Sequence, residues 1–190
     1  MSVIVDLSVA IEDGMSVYPG DPEVKIREWA SIGRDGYFMN TISMGEHTGT
    51  HVDAPAHFVE GGKTVDELPL ERFTGPGKVV RVEGPITAEH VREAGTLEGF
   101  IVLFLTNGRG FLTKEAAVEL VRMNVRAVGI DTPSIDRDGS AHRVLLSNDI
   151  PIFENLTNLD ALLGREFTFI AFPLRIKGGS GSPVRAVAVL

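Results

Sequence analysis

The segment from residue 47 to residue 57 constrains this chain most, because it holds three of the chain's five histidines. It reads His-Thr-Gly-Thr-His-Val-Asp-Ala-Pro-Ala-His. The three histidines and Asp53 occupy odd positions, so in an extended chain their side chains project to one face. Imidazoles and a carboxylate are costly to bury together without a ligand, and both groups bind zinc, manganese or iron. We therefore interpret the segment as a metal site, in preference to a set of packed, hydrogen-bonded histidines.

The backbone of this segment must bend if its side chains are to reach one ion. A straight strand rises about 3.3 Å per residue and would hold His47 and His51 roughly 13 Å apart, whereas a metal needs its donor atoms about 2 Å away. Gly49 tolerates such a bend, and Pro55 argues against a helix. We predict a strand end or loop that curls at Gly49. The flanking Glu46 and Glu60 are expected in solvent.

Composition excludes several other classes of protein. The length of 190 residues and the 43% hydrophobic content fit one domain with its own core, which we expect to span residues 1–190. The absence of cysteine excludes disulfides and thiolate metal sites. A net charge of −8 with dispersed basic residues is unlike a nucleic-acid binder. The N-terminus does not resemble a signal peptide and no apolar run reaches about 18 residues, so we expect no membrane partner and a cytoplasmic location.

The distribution of Val, Ile, Phe and Thr predicts a sheet-rich α/β fold. Eight runs are typical of strands, at 3–8, 24–29, 37–44, 78–83, 100–106, 126–131, 167–172 and 184–190. The run at 100–106 is apolar on both faces, as in a central buried strand. Helical segments are predicted to follow cap residues, namely Thr87 through Glu93, Lys114–Met123 after Thr113, and a turn from Thr157 through Leu163. Residues 18–22 are predicted to form a turn, and residues 178–183 an irregular segment.

A few polar residues outside the central segment invite a functional or a structural reading. His142 follows the polar run 136–141, where exposure in a loop is the structural reading. Glu154 ends the apolar run Ile150-Pro-Ile-Phe and either reaches solvent at a strand end or serves the site. His90 is assigned to the surface. Asp131 either caps the following turn or lines the site, and both readings stay open.

The motif His47-x-Gly-Thr-His51-x-Asp53-x-Pro-x-His57 resembles the signature of the cyclase-like metal-dependent hydrolases. This family includes bacterial kynurenine formamidases and isatin hydrolases. The stretches at 18–21, 129–134, 154–159 and 179–186 also resemble family segments, so the resemblance covers essentially the whole chain. It implies a swivelling-type β/β/α fold and assembly as a homodimer or a larger homo-oligomer.

The resemblance also implies roles for individual residues. His47, His51 and Asp53 would hold one metal ion, and Asp53 would reach a second ion held with His142 and Glu154. The ions would be two zinc ions, or manganese. His57 would be the catalytic acid/base. Tyr18 would meet the substrate, at a position where kynurenine formamidases often place Trp.

Together these expectations predict an arylformamidase that cleaves N-formylkynurenine or a related small aryl amide. The metal would lower the pKa of bound water towards 7, and His57 would move the proton to the leaving nitrogen. Two alternatives stay open. The first is another enzyme of the family, either a hydrolase of cyclic amides or esters or one with a different cyclase-family reaction. The second is a metal-binding protein without catalysis. No Gly-x-Ser-x-Gly elbow is present, so residues 179–182 are interpreted as a flexible wall. Apolar side chains of the substrate pocket are sought at Tyr18, Phe38 and Phe58, while Trp29 is expected in the core.

Overall fold

The architecture is a mixed α/β fold around one large sheet, which confirms the predicted sheet-rich α/β class. The computed structural model describes residues 3–190. Within that range the strands are β1 (Ile4–Asp6), β2 (Lys25–Ala30), β3 (Met39–Ser43), β4 (His51–Asp53), β5 (Thr74–Arg81), β6 (Pro85–Ile86), β7 (Ile101–Leu105), β8 (Phe111–Leu112), β9 (Ala127–Ile130), β10 (Ile152–Glu154), β11 (Phe167–Ile170), β12 (Gly181–Pro183) and β13 (Val187–Val189). The α-helices are α1 (Ile32–Asp35), α2 (Ala88–Glu93), α3 (Lys114–Arg122) and α4 (Ser140–Leu146), and 3₁₀ turns lie at Pro55–His57, Leu70–Phe73 and Leu159–Leu162.

The main sheet has a parallel centre and antiparallel flanks. Its strand order is β1-β13-β11-β5-β7-β9-β10-β4-β12. Strands β5, β7, β9 and β10 run parallel, and such strands need crossover connections, which contain α2, α3 and α4. On one flank, β4 pairs antiparallel with both β10 and β12. Residues 51–53 of the predicted metal segment therefore form a strand inside the sheet, between β10 and β12.

Strand β7 confirms the prediction of a central buried strand, because all five of its residues are buried. Alternate side chains enter two separate apolar clusters. Leu103 belongs to a cluster formed with the antiparallel strands and the 159–162 turn. Phe104 belongs to a cluster formed with α2, α3 and α4. The two faces of the sheet are thus each covered by apolar side chains.

The predicted strands and helices are largely confirmed, with bounds that differ by a few residues. All eight strand-like runs contain a strand. Thr113 caps α3 by accepting the backbone N–H of Ala116 at 3.3 Å. The 3₁₀ turn Leu159–Leu162 is preceded by Asn158 in the left-handed conformation, rather than by the predicted cap residue Thr157. Among residues 3–190 no helix has the length and apolar character needed to cross a bilayer.

Two segments that were expected to be irregular are regular. Residues 140–146 form α4, whose first turn is held by Asp136: its Oδ2 accepts the backbone N–H groups of Ala141 and His142 at 2.7 and 3.0 Å. This cap lies four residues before the first residue of the helix, and the polar run itself does not distinguish it from a loop. Residues 181–183 form β12 because they pair with β4, a long-range contact that overrides the weak strand preference of glycine and proline.

The expectation that Trp29 lies in the core is wrong. Strands β2 and β3 form a separate two-stranded sheet, and the Trp29 side chain on β2 is 62% exposed. Phe38, sought in the substrate pocket, is 61% exposed at the start of the same hairpin's second strand. The aromatic content of this region predicted that it would be buried. The hairpin, however, makes too little contact with the main sheet to bury these side chains.

We expect removal of metal to leave the fold intact, because both clusters consist of apolar side chains. Small zinc domains behave differently, since they fold only with their ion. Circular dichroism after dialysis against EDTA should show native secondary structure and a cooperative thermal transition. A metal-free protein without that transition would show that the ion holds the fold together.

Candidate metal centre

The pairing of β4 with β10 places the first three polar groups of the site on one face of the sheet. His51 and Asp53 are two residues apart on β4, so they share a face, while Val52 between them lies in the apolar cluster. Glu154 on β10 lies directly opposite His51. Residues opposite each other on antiparallel strands have neighbouring side chains. The register alone therefore brings two carboxylates and one imidazole together.

Gly49 provides the predicted bend that brings in His47. Its backbone is left-handed, with φ of +63°, a conformation that suits glycine. Its carbonyl accepts hydrogen bonds from Nδ1 of His51 at 3.0 Å and from the Asn155 amide at 2.9 Å. After the bend, Nδ1 of His47 lies 2.7 Å from Oδ1 of Asp53.

Helix α4 supplies the remaining imidazole. His142 is buried, and its Nε2 lies 3.2 Å from Oε1 of Glu154 and 3.5 Å from Oδ2 of Asp53. His51 completes the cluster, with Nε2 3.3 Å from Oδ1 of Asp53 and 3.4 Å from Oε2 of Glu154. The structure thus brings together all five residues named as ligands from the sequence, and the solvent readings of His142 and Glu154 do not hold.

The donor set forms two groups that share Asp53. In each group the potential ligand atoms lie within 4.8 Å of one another, the groups being His47–His51–Asp53 and Asp53–His142–Glu154. Oδ2 of Asp53 is buried and has no hydrogen-bond partner among residues 3–190. The distance of 3.5 Å from this oxygen to Nε2 of His142 is longer than an N–H···O hydrogen bond, which measures about 2.7–3.2 Å. An unsatisfied buried carboxylate oxygen is costly, and a cation would satisfy it, so these residues fit a divalent metal.

Charge pairing dominates the electrostatics of the cluster. Burial lowers the pKa of His51, but hydrogen bonds to Asp53 and Glu154 outweigh it and raise the pKa to about 10. For His142, burial is likewise outweighed by Asp136, Asp53 and Glu154, which raise the pKa to about 12. Burial raises the pKa of Asp53, yet its three histidine partners hold that pKa well below the usual value. The imidazoles of His51 and His142 are thus paired with carboxylates, and a cation would compete with their protons for the same groups.

His57 stands apart from the two groups. It ends the 3₁₀ turn Pro55–His57 and is exposed. Its ring stacks on that of His47 with centroids 3.9 Å apart, and lies 6.2 Å from the ring of His142. Desolvation lowers the pKa of His57, and the neighbouring His47 and His142 add to this, against opposition from Asp53 and Glu154. The ring is therefore neutral near pH 7.

The cluster opens into a cavity of about 610 Å³. Its wall includes the Tyr18–Asp21 turn, His57, Phe58 and Arg137. Tyr18 and Phe58 therefore line the cavity as expected from the sequence, whereas Trp29 and Phe38 lie outside its lining. A larger cavity of about 770 Å³ is lined by residues of the paired strands β5 and β11, but none of its lining residues is a histidine. Chemistry, rather than volume, identifies the candidate site.

Three residues outside the predicted ligand set support it: Asp136 and Ser180 contact ligands directly, and Glu46 acts through Ser180. Oδ1 of Asp136 lies 2.9 Å from Nδ1 of His142. Glu46, expected in solvent, accepts hydrogen bonds from the backbone N–H and the hydroxyl of Ser180 at 2.8 and 2.9 Å. Oγ of Ser180 in turn lies 3.0 Å from Nε2 of His47. Only Asp136 had a local signal, as a helix-capping residue near His142.

The other open residues have structural partners. Asp131 accepts hydrogen bonds from the backbone N–H and hydroxyl of Thr106 at 2.8 and 2.5 Å and from the Gly108 N–H at 3.2 Å. It therefore braces the loop after β7, in place of either reading. His90 is half-buried, and its Nδ1 accepts the Thr87 N–H at 3.1 Å, which stabilises the start of α2. Glu60 is exposed, as expected.

Comparison with known proteins finds relatives along the full length. A family model described as "Putative cyclase" matches residues 5–137. The kynurenine formamidase of Salinibacter ruber is 33% identical, over 97% of this chain and 96% of its own. That of Bordetella avium is 33% identical, over 98% of each chain. Isatin hydrolase A from Labrenzia aggregata superposes with a TM-score of 0.90 at 27% identity, over 100% of this chain and 94% of its own. A structure described as a potential metal-dependent hydrolase with cyclase activity has a TM-score of 0.86 at 31% identity, over 100% and 98%.

We predict that Asp53→Asn abolishes metal binding whereas His57→Asn retains it. The Asp53 carboxylate is shared by both donor groups, while neither group contains His57. The two substitutions install the same neutral side chain, so they control for each other. Metal content of the purified, metal-reconstituted variants measures the difference. Equal loss in both would assign His57 to the ligands.

Proposed function

The chain belongs to the cyclase family, and on that premise we propose that it is a metal-dependent amidohydrolase that cleaves small aryl formamides. N-formylkynurenine is the first candidate substrate. One observation carries the proposal: a buried carboxylate, Asp53, joins two His/carboxylate groups at the base of an open cavity. The kynurenine formamidases named above, similar over nearly the whole chain, support the substrate class.

In this proposal two divalent ions, zinc or manganese, are held by the protein. His47, His51 and Asp53 would hold one, and Asp53, His142 and Glu154 the other. When bound, the metal supplies a hydroxide near neutral pH and polarises the substrate carbonyl. Imidazole and carboxylate suit either metal. The cavity beside the donor groups argues against a closed structural site, whose positions would be filled by protein ligands.

His57 is the proposed acid/base of the reaction. A neutral imidazole at the cavity wall can accept the proton from water as its oxygen bonds to the formyl carbon. When the carbon–nitrogen bond breaks, the same imidazole returns the proton to the leaving nitrogen, which yields an aryl amine and formic acid, and the acid loses its proton to solvent as formate. The low pKa of His57 keeps the ring in the accepting form at pH 7.

Arg137 in the cavity wall and Arg109 in an adjoining depression are the cations that would meet an anionic group of the substrate, beside Asp21 and Asp138 in the same wall. A second depression, of about 580 Å³, shares Tyr18, Pro133 and Arg137 with the cavity and has Arg109 in its lining. The guanidinium of Arg137 lies 4.1 Å from the centre of the Phe111 ring, an arrangement that steadies a cation. Guanidinium groups pair well with carboxylates, and N-formylkynurenine carries one on its amino-acid side chain.

Hydrolysis of a cyclic amide or ester is the second candidate. It is favoured by the close superposition on isatin hydrolase A and by Tyr18 in the cavity wall. Cyclic amides lack the free formyl group but present the same carbonyl to the same donor groups. The substrate, rather than the metal chemistry, distinguishes the two candidates.

Turnover of a defined substrate panel tests the proposed function. The metal-reconstituted protein should hydrolyse N-formylkynurenine faster than formanilide, which lacks the carboxylate, and faster than isatin or a phenyl ester. EDTA should abolish the activity. Faster turnover of isatin would select the second candidate, and a metal-loaded protein that turns over no member of the panel would contradict the proposal.

In the same assay, His57→Asn should lower turnover by about 10²–10⁴-fold, the usual contribution of acid/base assistance. Its metal content should stay that of the unchanged protein. Near-native turnover by a metal-replete variant would exclude His57 as the acid/base.

We also propose that the protein is a homodimer joined through the β2–β3 hairpin. Large apolar side chains are exposed there, at Trp29, Ile32, Tyr37, Phe38, Met39 and Ile42. Contiguous apolar patches on a monomer mark interaction surfaces. A second copy is the favoured partner because the family expectation is a homo-oligomer. In the sequence the hairpin lies between residues 18–21 and His47, and these flanking residues line the cavity.

Light scattering should give twice the chain mass for the unchanged protein and one chain mass for the double variant Trp29→Asp, Phe38→Asp. Both side chains are already exposed, so the chain should still fold. If the double variant keeps twice the chain mass, the interface lies elsewhere. If the protein without substitutions has one chain mass, the proposed dimer is contradicted.

A further inference from the structure

A chain of hydrogen bonds leads outward from His47, away from the cavity. Its Nε2 lies 3.0 Å from Oγ of Ser180, and Ser180 donates to Oε2 of Glu46 from its hydroxyl at 2.9 Å and its backbone N–H at 2.8 Å. We propose that Ser180 and Glu46 are positioning residues, which fix the ring orientation and tautomer of His47 for metal binding. This inference rests on the proposed metal site and assigns a role to the Gly/Ser segment that the proposed function leaves unused.

The directions of the hydrogen bonds determine the tautomer. Oε2 of Glu46 accepts both bonds from Ser180, so the single hydroxyl proton of Ser180 points to Glu46. Oγ of Ser180 can then only accept from His47, so Nε2 carries a proton. Nδ1 faces Oδ1 of Asp53 at 2.7 Å, shares a proton with that carboxylate when no metal is bound, and is the ligand atom once a cation takes the place of that proton.

The two glycines beside Ser180 allow this close approach. A Cβ at Gly181 would lie 2.5 Å from Cε1 of His47 and 2.7 Å from the Val52 carbonyl oxygen. A Cβ at Gly179 would lie 3.0 Å from Oε1 of Glu46. The Gly-Ser-Gly sequence therefore follows the shape of the His47 ring and the Glu46 carboxylate.

The backbone of the same segment is held firmly. The Ser180 carbonyl accepts the Ala54 N–H at 2.9 Å, and the Gly179 carbonyl accepts the Val65 N–H at 2.9 Å. Gly181 then pairs with Asp53 where β12 joins β4. Ser180 is thus fixed to the strand that carries two of the ligands, and the expected flexible wall is a rigid support.

The other two ligand histidines already have such a partner. Nδ1 of His51 bonds the Gly49 carbonyl, and Nδ1 of His142 bonds Asp136, so both direct Nε2 into the cluster. His47 is reversed, with Nδ1 inward and Nε2 outward. Metal-ligating histidines usually bond an outer partner through the second nitrogen, and loss of that partner typically costs about 10–100-fold in metal affinity. Because the ring of His57 stacks on His47, the same support also places the proposed acid/base.

The test measures metal affinity rather than turnover. Zinc affinity of the metal-free protein is determined by competition with a chromophoric chelator, for Ser180→Ala, Glu46→Gln and the double variant. We expect Ser180→Ala to bind one of the two ions about 10–100-fold more weakly, and Glu46→Gln to weaken the same ion. The double variant should bind no more weakly than Ser180→Ala, because the two residues act in one chain. Cobalt loaded at the weakened position should show an altered visible absorption spectrum.

Glu60→Gln is the matched control, since Glu60 flanks the same motif and is exposed. Its zinc affinity should equal that of the unchanged protein. Unchanged affinity in both Ser180→Ala and Glu46→Gln, or equal weakening in Glu60→Gln, would overturn the inference. If Ser180→Ala fails to give a cooperative thermal transition, Glu46→Gln decides alone. An unchanged protein that binds no zinc would instead contradict the metal site on which the inference rests.

Discussion

The burial of the Asp53 carboxylate is the constraint on which the rest of the site depends. Its side chain is 1% exposed, and a charge in such surroundings is very costly unless it is paired. Three imidazoles surround it, from His47, His51 and His142. Each of them is held in place by a further partner outside the cluster. The outer contacts are therefore part of what makes a buried carboxylate tolerable.

The sheet supplies the geometry that makes this pairing possible. Strand β4 lies where the parallel centre of the sheet gives way to antiparallel partners, so it receives Glu154 from one side and the Gly/Ser segment from the other. Val52 anchors the strand in the apolar cluster, which turns its two neighbours towards the site. If one member of such a pair is removed, the other is left as an unpaired charge in a low-dielectric interior, which typically destabilises the fold by about 3–5 kcal/mol. The ligands are accordingly held by strand register and helix position rather than by flexible loops.

Much of this arrangement could be predicted from the sequence, because its main signals are local. The alternation of polar residues between 47 and 57, the bend at Gly49 and the apolar run of β7 are properties of short segments, and the structure confirms the strand and the bend. Ser180 and Glu46 could not be predicted, since they meet across 134 positions of sequence. The exposure of Trp29 could not be predicted either, because an aromatic residue in a strand is usually buried, and only the three-dimensional separation of the hairpin from the main sheet leaves it in solvent.

Proton release on metal binding tests the central claim most directly, namely that the cluster is a cation site occupied by protons when the metal is absent. The pKa values of His51 and His142 are raised to about 10 and about 12, so both are protonated at pH 7, whereas Asp53, with its lowered pKa, is already ionised. Ligands bind metals in their deprotonated form. Calorimetric titration of the metal-free protein with zinc at pH 7, in two buffers of different ionisation enthalpy, should therefore show the release of about two protons. Heats of binding that are the same in both buffers would contradict the account.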